Sequence, residues 1–331
     1  MNKRVWVGVD VGSRELVVAV ERNGKRGETL SFENTAEDHR KLIHSITKRG
    51  ASARVVLEAT GVYGFDLALA LERAPRVEVM VANPRAISHF GRASLQRSKT
   101  DALDAEVILE FAKRMPFEPW IAPAREILDL RAISRRMEAL AKMATQEKNR
   151  LHASHQSAES SEVVRVDVEI SIEHLATRVA QLRDQALQLI ASHPHLRDAF
   201  GHLISIKGIA ELAGIQILAE LAILPKDMSV RQWVAHAGLD PRQYQSGTSI
   251  HKPAHISKTG NTHLRRALFM PALVAVQHEP HVTAFYEKLL GRGKTKMQAN
   301  VAVMRKLLHA IYGMLTHDQD FKGEKFYAIG A

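Results

Sequence analysis

The sequence of 331 residues contains no cysteine. Disulfide bonds, metal sites with thiolate ligands and cysteine nucleophiles are therefore excluded. No apolar run approaches the length of a membrane-spanning helix, and the first residues, Met-Asn-Lys-Arg-Val-Trp, have a basic pair without the apolar run of a signal peptide. Internal repeats and low-complexity tracts are also absent. These absences predict a cytoplasmic protein with no membrane partner.

The composition is that of a chain that folds. Hydrophobic residues make up 45% and charged residues 25% of the sequence, far from the pattern of a disordered protein. The length exceeds what one ordinary core supports, so we expect two or three domains.

Positive charge is concentrated near the C-terminus. Residues 241–331 hold 13 Lys or Arg and 5 Asp or Glu, so they carry +8 of the formal net charge of +10. A concentrated basic region indicates a polyanionic partner, most often a nucleic acid, although a basic tail that only improves solubility is an alternative.

The first part of the sequence predicts an α/β domain. Apolar and polar residues alternate in three short bursts between residues 4 and 32, which is typical of a meander of three strands. Two further apolar runs, Arg54–Leu57 and Val77–Val81, lie among predicted helices at Glu37–Lys48, Tyr63–Arg73 and Asp101–Arg114. Prolines 116, 119 and 123 then end this domain.

The remainder is predicted to be mostly helical. Apolar residues at spacings of three and four run from Leu130 to Leu151 and from Ile172 to Leu189, which predicts two long helices. These form either an antiparallel hairpin or dimerisation arm, or two core helices of a bundle. After Pro194 we expect helices near Leu212–Leu221, His263–Gln277 and Ala299–Leu315, with a Gly/Pro/Ser-rich stretch from Gly238 to Gly260. The predicted domains are 1–118, 119–195 and 196–331.

Asp10 is the first candidate for chemistry, because it ends the first strand in Val-Gly-Val-Asp-Val-Gly-Ser. A carboxylate there suits either the phosphate turn of actin-like kinases and ATPases or the metal site of nucleases with an RNase-H-like fold. The kinase group should also have a second Asp-x-Gly turn and an adenosine site with paired glycines. Neither occurs in this sequence.

A nuclease that uses two Mg²⁺ ions needs several carboxylates. Glu58 follows a later strand, and Asp101 and Asp104 lie three residues apart on one helix face after a basic run. Taken singly, Asp101 suits a helix dipole and Asp104 a solvated surface. The ordered set of four acids favours a metal centre.

Three blocks carry a resemblance to a known family: Val9-Asp10, Leu57-Glu58-Ala59-Thr60-Gly61, and Lys99-Thr100-Asp101-Ala102-Leu103-Asp104-Ala105. They resemble the blocks of the DEDD transposases of insertion-sequence family one hundred and ten, which includes Piv-type DNA invertases and recombinases guided by a bridge RNA. The resemblance implies an RNase-H/RuvC-like α/β domain joined through a coiled coil to a helical transposase domain. Later blocks agree with it, namely Ala237-Gly238-Leu239-Asp240-Pro241, Gln245-Ser246-Gly247, and Ile256–Asn261 followed by Leu264-Arg265-Arg266-Ala267-Leu268.

The resemblance also implies a role for Ser246. The local sequence favours a turn residue, but the family's serine before glycine is a nucleophile that becomes linked to DNA phosphate. The implied enzyme is an insertion-sequence recombinase that acts on element ends and target DNA. It would use a structured guide RNA and a dimer or tetramer with composite active sites, and would associate with a prokaryotic nucleoid. A hydrolytic junction resolvase with the same carboxylates and a basic scaffold without catalysis are the alternatives.

The predicted nucleic-acid contacts are basic residues near these blocks. His89 is predicted to be a surface residue. Leu203–Ala210 resembles a helix-hairpin-helix turn in which Lys207 and Ala210 stand where proline and a second glycine are usual, so phosphate binding and simple helix packing are both open there. The candidates are Arg85, Arg92, Arg97, Lys99, Lys207, Arg242, Lys258, Arg265 and Arg266.

Overall fold

The computed structural model describes residues 4–58, 63–94, 100–156, 159–246 and 250–329. The chain divides into two compact units, Met1–Ala122 and Pro123–Ala331. The first is mixed α/β and the second mostly helical, as the sequence predicts. The division into three domains stays a prediction, since the middle and C-terminal helices belong to one unit here.

The first unit is built on a mixed sheet of six strands. The strands are β1 (Arg4–Val11), β2 (Glu15–Arg22), β3 (Lys25–Arg26), β4 (Leu30–Glu33), β5 (Ser52–Glu58) and β6 (Val77–Ala82). They follow the order β3-β2-β1-β5-β6, and β4 also pairs with β2. Strands β1 to β4 pair antiparallel, whereas β5 and β6 run parallel to β1. The predicted meander and the two later strands of the α/β pattern are present, and the structure shows that those later strands are parallel.

Four helices accompany this sheet: α1 (Ala36–Ile46), α2 (Phe65–Glu72), α3 (Pro84–Ala93) and α4 (Asp101–Arg114). Three of them correspond to predicted helices, and α4 has the predicted bounds. Helix α3 was not predicted; it has 10 residues and buries only Ile87, although Ile87 and Phe90 recur at helical spacing. It begins where the Asn83 side chain accepts a hydrogen bond from Arg85 N and Pro84 occupies the first turn.

The two faces of β1 have different partners, because successive side chains in a strand point to opposite sides. Val5, Val7 and Val9 are buried in a core that includes Leu42 of α1 and Leu67 of α2. On the other face, a Cβ added at Gly8 would lie 2.3 Å from Leu109 N and 2.4 Å from Ala105 O. Helix α4 therefore rests directly on the strand backbone at Gly8.

The second unit begins with two long helices, α5 (Arg125–His155) and α6 (Glu162–Ser192). They pack on each other, and the short connection makes them an antiparallel hairpin. Leu130 and Met137 of α5, with Ala186 and Ile190 of α6, also belong to the core that the later helices build. The two helices therefore form a hairpin, and the end of the hairpin with Leu130 and Ile190 is also part of the bundle core. Each of the two predicted arrangements, hairpin and bundle core, is met in part.

The later elements are α7 (Pro194–Ile204), α8 (Glu211–Leu221), α9 (Val230–Ala237), β7 (Pro241–Ser246), β8 (Ile250–Ile256), α10 (Thr262–His278), α11 (Pro280–Gly291), α12 (Lys296–His317) and α13 (Gly323–Phe326). Helices α8, α10 and α12 supply much of the core, including Ile217, Leu268 and Leu307. The structure adds α7, α9, α11 and α13 to the three predicted helices of this region.

A β-hairpin occupies part of the Gly/Pro/Ser-rich stretch Gly238–Gly260, within a region that the sequence predicts to be mostly helical. Strands β7 and β8 pair antiparallel, with a register shift between Arg242 and Tyr244. Pro253 lies in β8 opposite this shift and outside the paired positions. Proline is tolerated at such a bulge, because no ladder N–H is needed there. Within the described ranges, no helix has the length and apolar character to cross a membrane.

Candidate active site

Asp10 and Glu58 lie at one edge of the sheet, because β1 and β5 are parallel neighbours. Val9 pairs with Leu57, so the next residue of each strand is a carboxylate at the strand's carboxyl end. Asp10 also lies two residues after Gly8 and so faces the side of the sheet where α4 packs. The strand register alone brings two of the four predicted acids together.

Helix α4 supplies the other two acids from its first turn. Thr100 caps this helix by accepting a hydrogen bond from Leu103 N. Asp101 is exposed and Asp104 is half-buried. One carboxylate oxygen from each of Asp10, Asp101 and Asp104 lies within 4.8 Å of the others. The close contact of α4 with Gly8 explains this convergence, because a longer side chain at residue 8 would lift the helix from the strand.

The electrostatics of Asp10 follow from these neighbours. The pKa of Asp10 is raised to about 6, first by burial and then by the negative charges of Asp104, Asp101 and Glu58, while a hydrogen bond from the Val11 backbone acts in the opposite direction. Glu58 thus lies close enough to act on Asp10 through its charge. The cluster consists of negative charges only, so it needs a positive charge from elsewhere to offset their repulsion.

A divalent cation fits this donor set. All four side chains are carboxylates, the hard oxygen ligands that Mg²⁺, Mn²⁺ and Ca²⁺ prefer. A cation would also relieve the repulsion that raises the pKa of Asp10. The arrangement therefore suits chemistry at a phosphate, where a cation neutralises developing charge.

Asn34 connects the two loops that follow the carboxylates, and sequence reasoning missed it. Its Nδ2 donates to the carbonyl oxygens of Gly12 and Tyr63, each at 3.0 Å. Its Oδ1 lies 2.8 Å from Nε2 of His39, which is 3% exposed. Burial lowers the pKa of His39, so its neutral ring donates from Nε2 to Asn34. An asparagine between a strand and a helix cap has no motif that would have identified it.

The basic residues of α3 are available for binding. Arg85 and Arg92 are exposed and seven residues apart, which places them on one face of the helix. Neither is paired with an acidic side chain among the residues described. His89 is exposed, as predicted. Arg97 and Lys99 lie outside the described residues.

The five basic residues of the second unit that are predicted to contact nucleic acid differ in whether they already have a partner within the chain. Arg242 and Lys258 are exposed. Arg265 Nη1 donates to the Ala237 carbonyl oxygen at 2.8 Å, and Arg266 Nη1 lies 2.9 Å from Glu138 Oε1. Lys207 Nζ lies 3.7 Å from Glu279 Oε2. Three of these five cations therefore already have partners within the chain.

The predicted hairpin turn lies between α7 and α8. Gly208 has φ +111°, and a Cβ there would lie 2.7 Å from Pro271 O and 2.8 Å from Ala275 N. The turn thus packs tightly against α10, and its glycine is needed for both conformation and space. This geometry favours the packing role among the two left open by the sequence.

Ser246 is the last residue of β7, and its backbone pairs with Ile250 of β8. Residues 247–249, which connect the two strands, lie outside the described residues. The role of Ser246 therefore stays a prediction.

Two family models match the chain. A model for DEDD transposases of IS110, described as "Transposase", matches residues 7–158, and one described as "Transposase IS116/IS110/IS902 family" matches residues 201–287. The pilin gene-inverting protein of Moraxella bovis is 30% identical over 96% of this chain and 98% of its own length. The chain belongs to the IS110 family of DEDD transposases.

The pilin gene-inverting protein of Moraxella lacunata is also 30% identical, over 82% of each chain. The family resemblance is therefore confirmed, and this IS110 protein is a DNA transposase or recombinase. RuvC of T. thermophilus, solved in complex with a Holliday junction substrate, aligns with 35% of this chain and 99% of its own, at a TM-score of 0.27 and 12% identity. At that score the alignment does not establish a shared fold.

Proposed function

We propose that this IS110 protein exchanges DNA strands at Asp10, Glu58, Asp101 and Asp104, with Ser246 as the nucleophile. The observation that carries the proposal is the convergence of three carboxylates within 4.8 Å, with Glu58 close enough to raise the pKa of Asp10. This is the donor set of a phosphate-cutting metal site. The sheet order, a meander on one side of β1 and two parallel strands on the other, supports a RuvC-like assignment.

The four carboxylates would hold Mg²⁺, with a two-metal site as the preferred form. When bound, Mg²⁺ supplies a positive charge that lowers the barrier to attack on a DNA phosphate. The protein's part is to hold the carboxylates together, through the β1–β5 register, the cap at Thr100 and the Asn34 hydrogen bonds.

In the cleavage step, Ser246 Oγ forms a bond to a backbone phosphorus and its hydroxyl proton passes to a base. The bond from that phosphorus to the leaving deoxyribose oxygen breaks, and that oxygen takes up a proton. The hydroxyl of the new strand reverses the step and releases the serine. Each bond broken is replaced by one of similar energy, so strands are rejoined without an external energy source.

The proposal also includes a guide RNA and an oligomer of this chain. A structured guide RNA would pair with target and donor DNA, and the net charge of +10 serves either polymer. A dimer or tetramer would combine the carboxylates of one protomer with the serine of another, with the α5–α6 hairpin as the contact. The Moraxella relatives, named for gene inversion, support DNA inversion as one outcome. A nucleoid-associated location stays a prediction.

The test is a search for a covalent adduct. Purified protein is incubated with end-labelled DNA from the ends of its element, Mg²⁺ and co-expressed RNA, then run on a denaturing gel. A labelled protein band is expected, and it should vanish in Ser246→Ala but persist in Ser171→Ala, a matched serine on α6. An adduct that persists in Ser246→Ala would show that another residue is the nucleophile. Activity that survives RNase in a preparation without RNA would remove the guide from the proposal.

A hydrolytic junction nuclease is the alternative that the carboxylate centre also supports, because hydrolysis needs no serine. It predicts that cleavage continues in Ser246→Ala without an adduct. A scaffold without catalysis predicts that Asp10→Asn and Asp104→Asn leave DNA processing unchanged.

A further inference from the structure

A cavity of about 640 Å³ opens in the first unit, at the end of the sheet where β1 and β5 finish. Its volume is within the range of small-ligand sites. We call it the Tyr63 pocket, after the aromatic side chain that is 55% exposed beside it. Its wall includes Ser13, Asn34, His39, Tyr63, Phe65 and Asp66.

The Tyr63 pocket lies at the same sheet edge as the catalytic acids. Ser13 is three residues after Asp10, and Tyr63 is five residues after Glu58. Asn34 joins these two loops through its bonds to Gly12 and Tyr63. Gly64, beside Tyr63, packs on the ends of both strands, because a Cβ there would lie 3.2 Å from Leu57 Cδ1, 3.7 Å from Val11 Cγ1 and 3.8 Å from the Glu58 carbonyl oxygen. The pocket therefore opens on the α1–α2 side of this sheet edge, and a strand bound at the carboxylates on the α4 side would have to cross only the edge to reach it.

The lining suits a base rather than a phosphate. Of the described residues that line the pocket, none is lysine or arginine, and the exposed Asp66 carboxylate would repel an anion. Tyr63 and Phe65 instead offer aromatic surface. Phe65 is held by an edge contact with Trp120, with ring centres 6.0 Å apart. Aromatic side chains near a cleavage site commonly stack on unpaired bases.

The polar side chains that line the Tyr63 pocket also limit which base the pocket can recognise. Both hydrogens of the Asn34 amide already bond to Gly12 and Tyr63. Ser13 and Asp66 are thus left to contact a base edge. A carboxylate accepts hydrogen bonds and donates none, so Asp66 favours a base with an exocyclic amine.

We propose that the Tyr63 pocket binds one unstacked base of the DNA strand held at the carboxylates, with Tyr63 stacking on the ring and Asp66 accepting from an exocyclic amine. The inference rests on the proposed function, because that function brings a DNA strand to this edge.

The test compares three fluorescein-labelled oligomers of 12 nucleotides, which are oligo-dC, oligo-dT and an abasic chain with the same phosphates. Affinity is measured by anisotropy in EDTA, so that no cleavage occurs. Charge contacts act equally on all three, so the difference isolates base contacts. The full-length native chain should bind oligo-dC at least about fivefold more tightly than the abasic oligomer, as expected for stacking. Oligo-dT should fall between them.

Tyr63→Ala should remove most of this difference while leaving binding of the abasic oligomer unchanged, and Tyr63→Phe should retain it. Asp66→Asn should shift the preference toward oligo-dT, because an amide can donate to a carbonyl of thymine. Ile121→Ala, which removes another exposed apolar side chain of the same unit, is the control and should bind like the native chain. A Tyr63→Ala variant that keeps its base preference, or that loses affinity equally for all three oligomers, overturns the proposal.

A crosslinking measurement locates the base directly. Oligo-dC with one central 5-iodouracil is irradiated with the chain, and the tryptic peptides are analysed by mass spectrometry. Crosslinks should fall on the peptide of residues 55–73, which contains Tyr63 and Phe65. Crosslinks confined to the second unit contradict the pocket. Mg²⁺-dependent cleavage that needs Asp10 is scored separately, so the pocket and the proposed function can fail independently.

Discussion

At the scale of single residues, the ionisation of Asp10 sets the stability of the metal-free chain. Its pKa is about 6 in the folded state against 3.8 for the free side chain. The folded chain therefore holds this proton more tightly than the unfolded chain, and ionisation between pH 3.8 and about 6 destabilises the fold. Below pH 3.8 Asp10 is protonated in both the folded and the unfolded chain, so it does not lower the free energy of unfolding.

Asp10→Asn should thus raise the free energy of unfolding at pH 7.5 by roughly 1 to 2 kcal/mol, which is less than the full pKa shift implies because Asp10 is half-exposed and solvent screens its charge, and by much less at pH 4.5. Urea unfolding in EDTA at the two pH values measures this. Asp167→Asn, an exposed acid on α6, should change little at either pH. An Asp10→Asn variant less stable than the native chain at pH 7.5 would mean that burial and the neighbouring carboxylates do not destabilise ionised Asp10.

Gly8 is the position where one added methyl group should separate the carboxylates of β1 and α4. A Cβ in Gly8→Ala would lie 2.3 Å from Leu109 N, a contact that backbone must move to relieve. We expect a loss of roughly 2 kcal/mol or more of stability, with a further loss of divalent-cation affinity as α4 lifts from β1. Thermal unfolding and Mn²⁺ titration measure the two effects. Gly27→Ala, whose nearest contact is 3.7 Å, is the control and should change neither.

At the scale of elements, Asn34 is predicted to position the carboxylates through the loops that follow β1 and β5. Asn34→Ala removes both bonds that its amide makes to those loops. We expect Mn²⁺ affinity to fall about tenfold or more, in the range that indirect support of metal ligands usually shows. Isothermal titration measures it, with Asn149→Ala on α5 as an exposed control. If Asn34→Ala lowers stability but leaves Mn²⁺ affinity intact, Asn34 has only a structural role.

The elements also show which parts of the fold the sequence reveals. Strands β1, β2, β5 and β6 and helix α4 were predictable, because alternation, apolar runs and a capping threonine are local signals. Helix α3 and the β7–β8 hairpin were not predicted. Ile87 and Phe90 of α3 do recur at helical spacing, but the helix is short and buries only Ile87. Pro253 lies in β8, and a proline argues against a strand.

The candidate site also contains residues that the sequence predicts and residues that only the structure reveals. The four acids were found as an ordered set, and their approach to one another follows from the β1–β5 register and the contact at Gly8. Asn34 and the Tyr63 pocket could not be found, because they depend on loops far apart in the chain. Arg265 and Arg266 were predicted as phosphate contacts, yet their partners Ala237 and Glu138 become visible only in three dimensions.

At the scale of the whole molecule, each unit has its own core, and Glu220 joins the helical hairpin to the bundle in the second unit. Its side chain is 2% exposed and receives hydrogen bonds from Arg135 Nε at 2.8 Å and Asn261 Nδ2 at 2.7 Å, with Arg131 Nε at 3.3 Å. These partners lower the pKa of Glu220 to about 2 despite its burial. Its stabilising effect is therefore full above pH 4.5 and is lost as the pH falls toward 2.

Glu220→Gln should destabilise the second unit by about 3 kcal/mol at pH 7, because it leaves the half-buried cations Arg131 and Arg135 without their counter-charge. Calorimetry of the full chain should show this as a lower transition for the second unit, with the first unit unchanged. Glu211→Gln, an exposed acid on the same helix, is the matched control. Equal shifts in both transitions would show that the units do not unfold separately.

Asp10, Asp101 and Asp104, with Glu58, are proposed to hold a divalent cation for DNA cleavage. Isothermal titration of Mn²⁺ into the metal-free chain tests this proposal. We predict saturable binding to the native chain that is lost when Asp10, Asp101 and Asp104 are all replaced by asparagine, and kept when the exposed acids Asp167, Glu169 and Glu173 are replaced by amides. Native-like Mn²⁺ binding in the Asp10/Asp101/Asp104 variant would contradict the account.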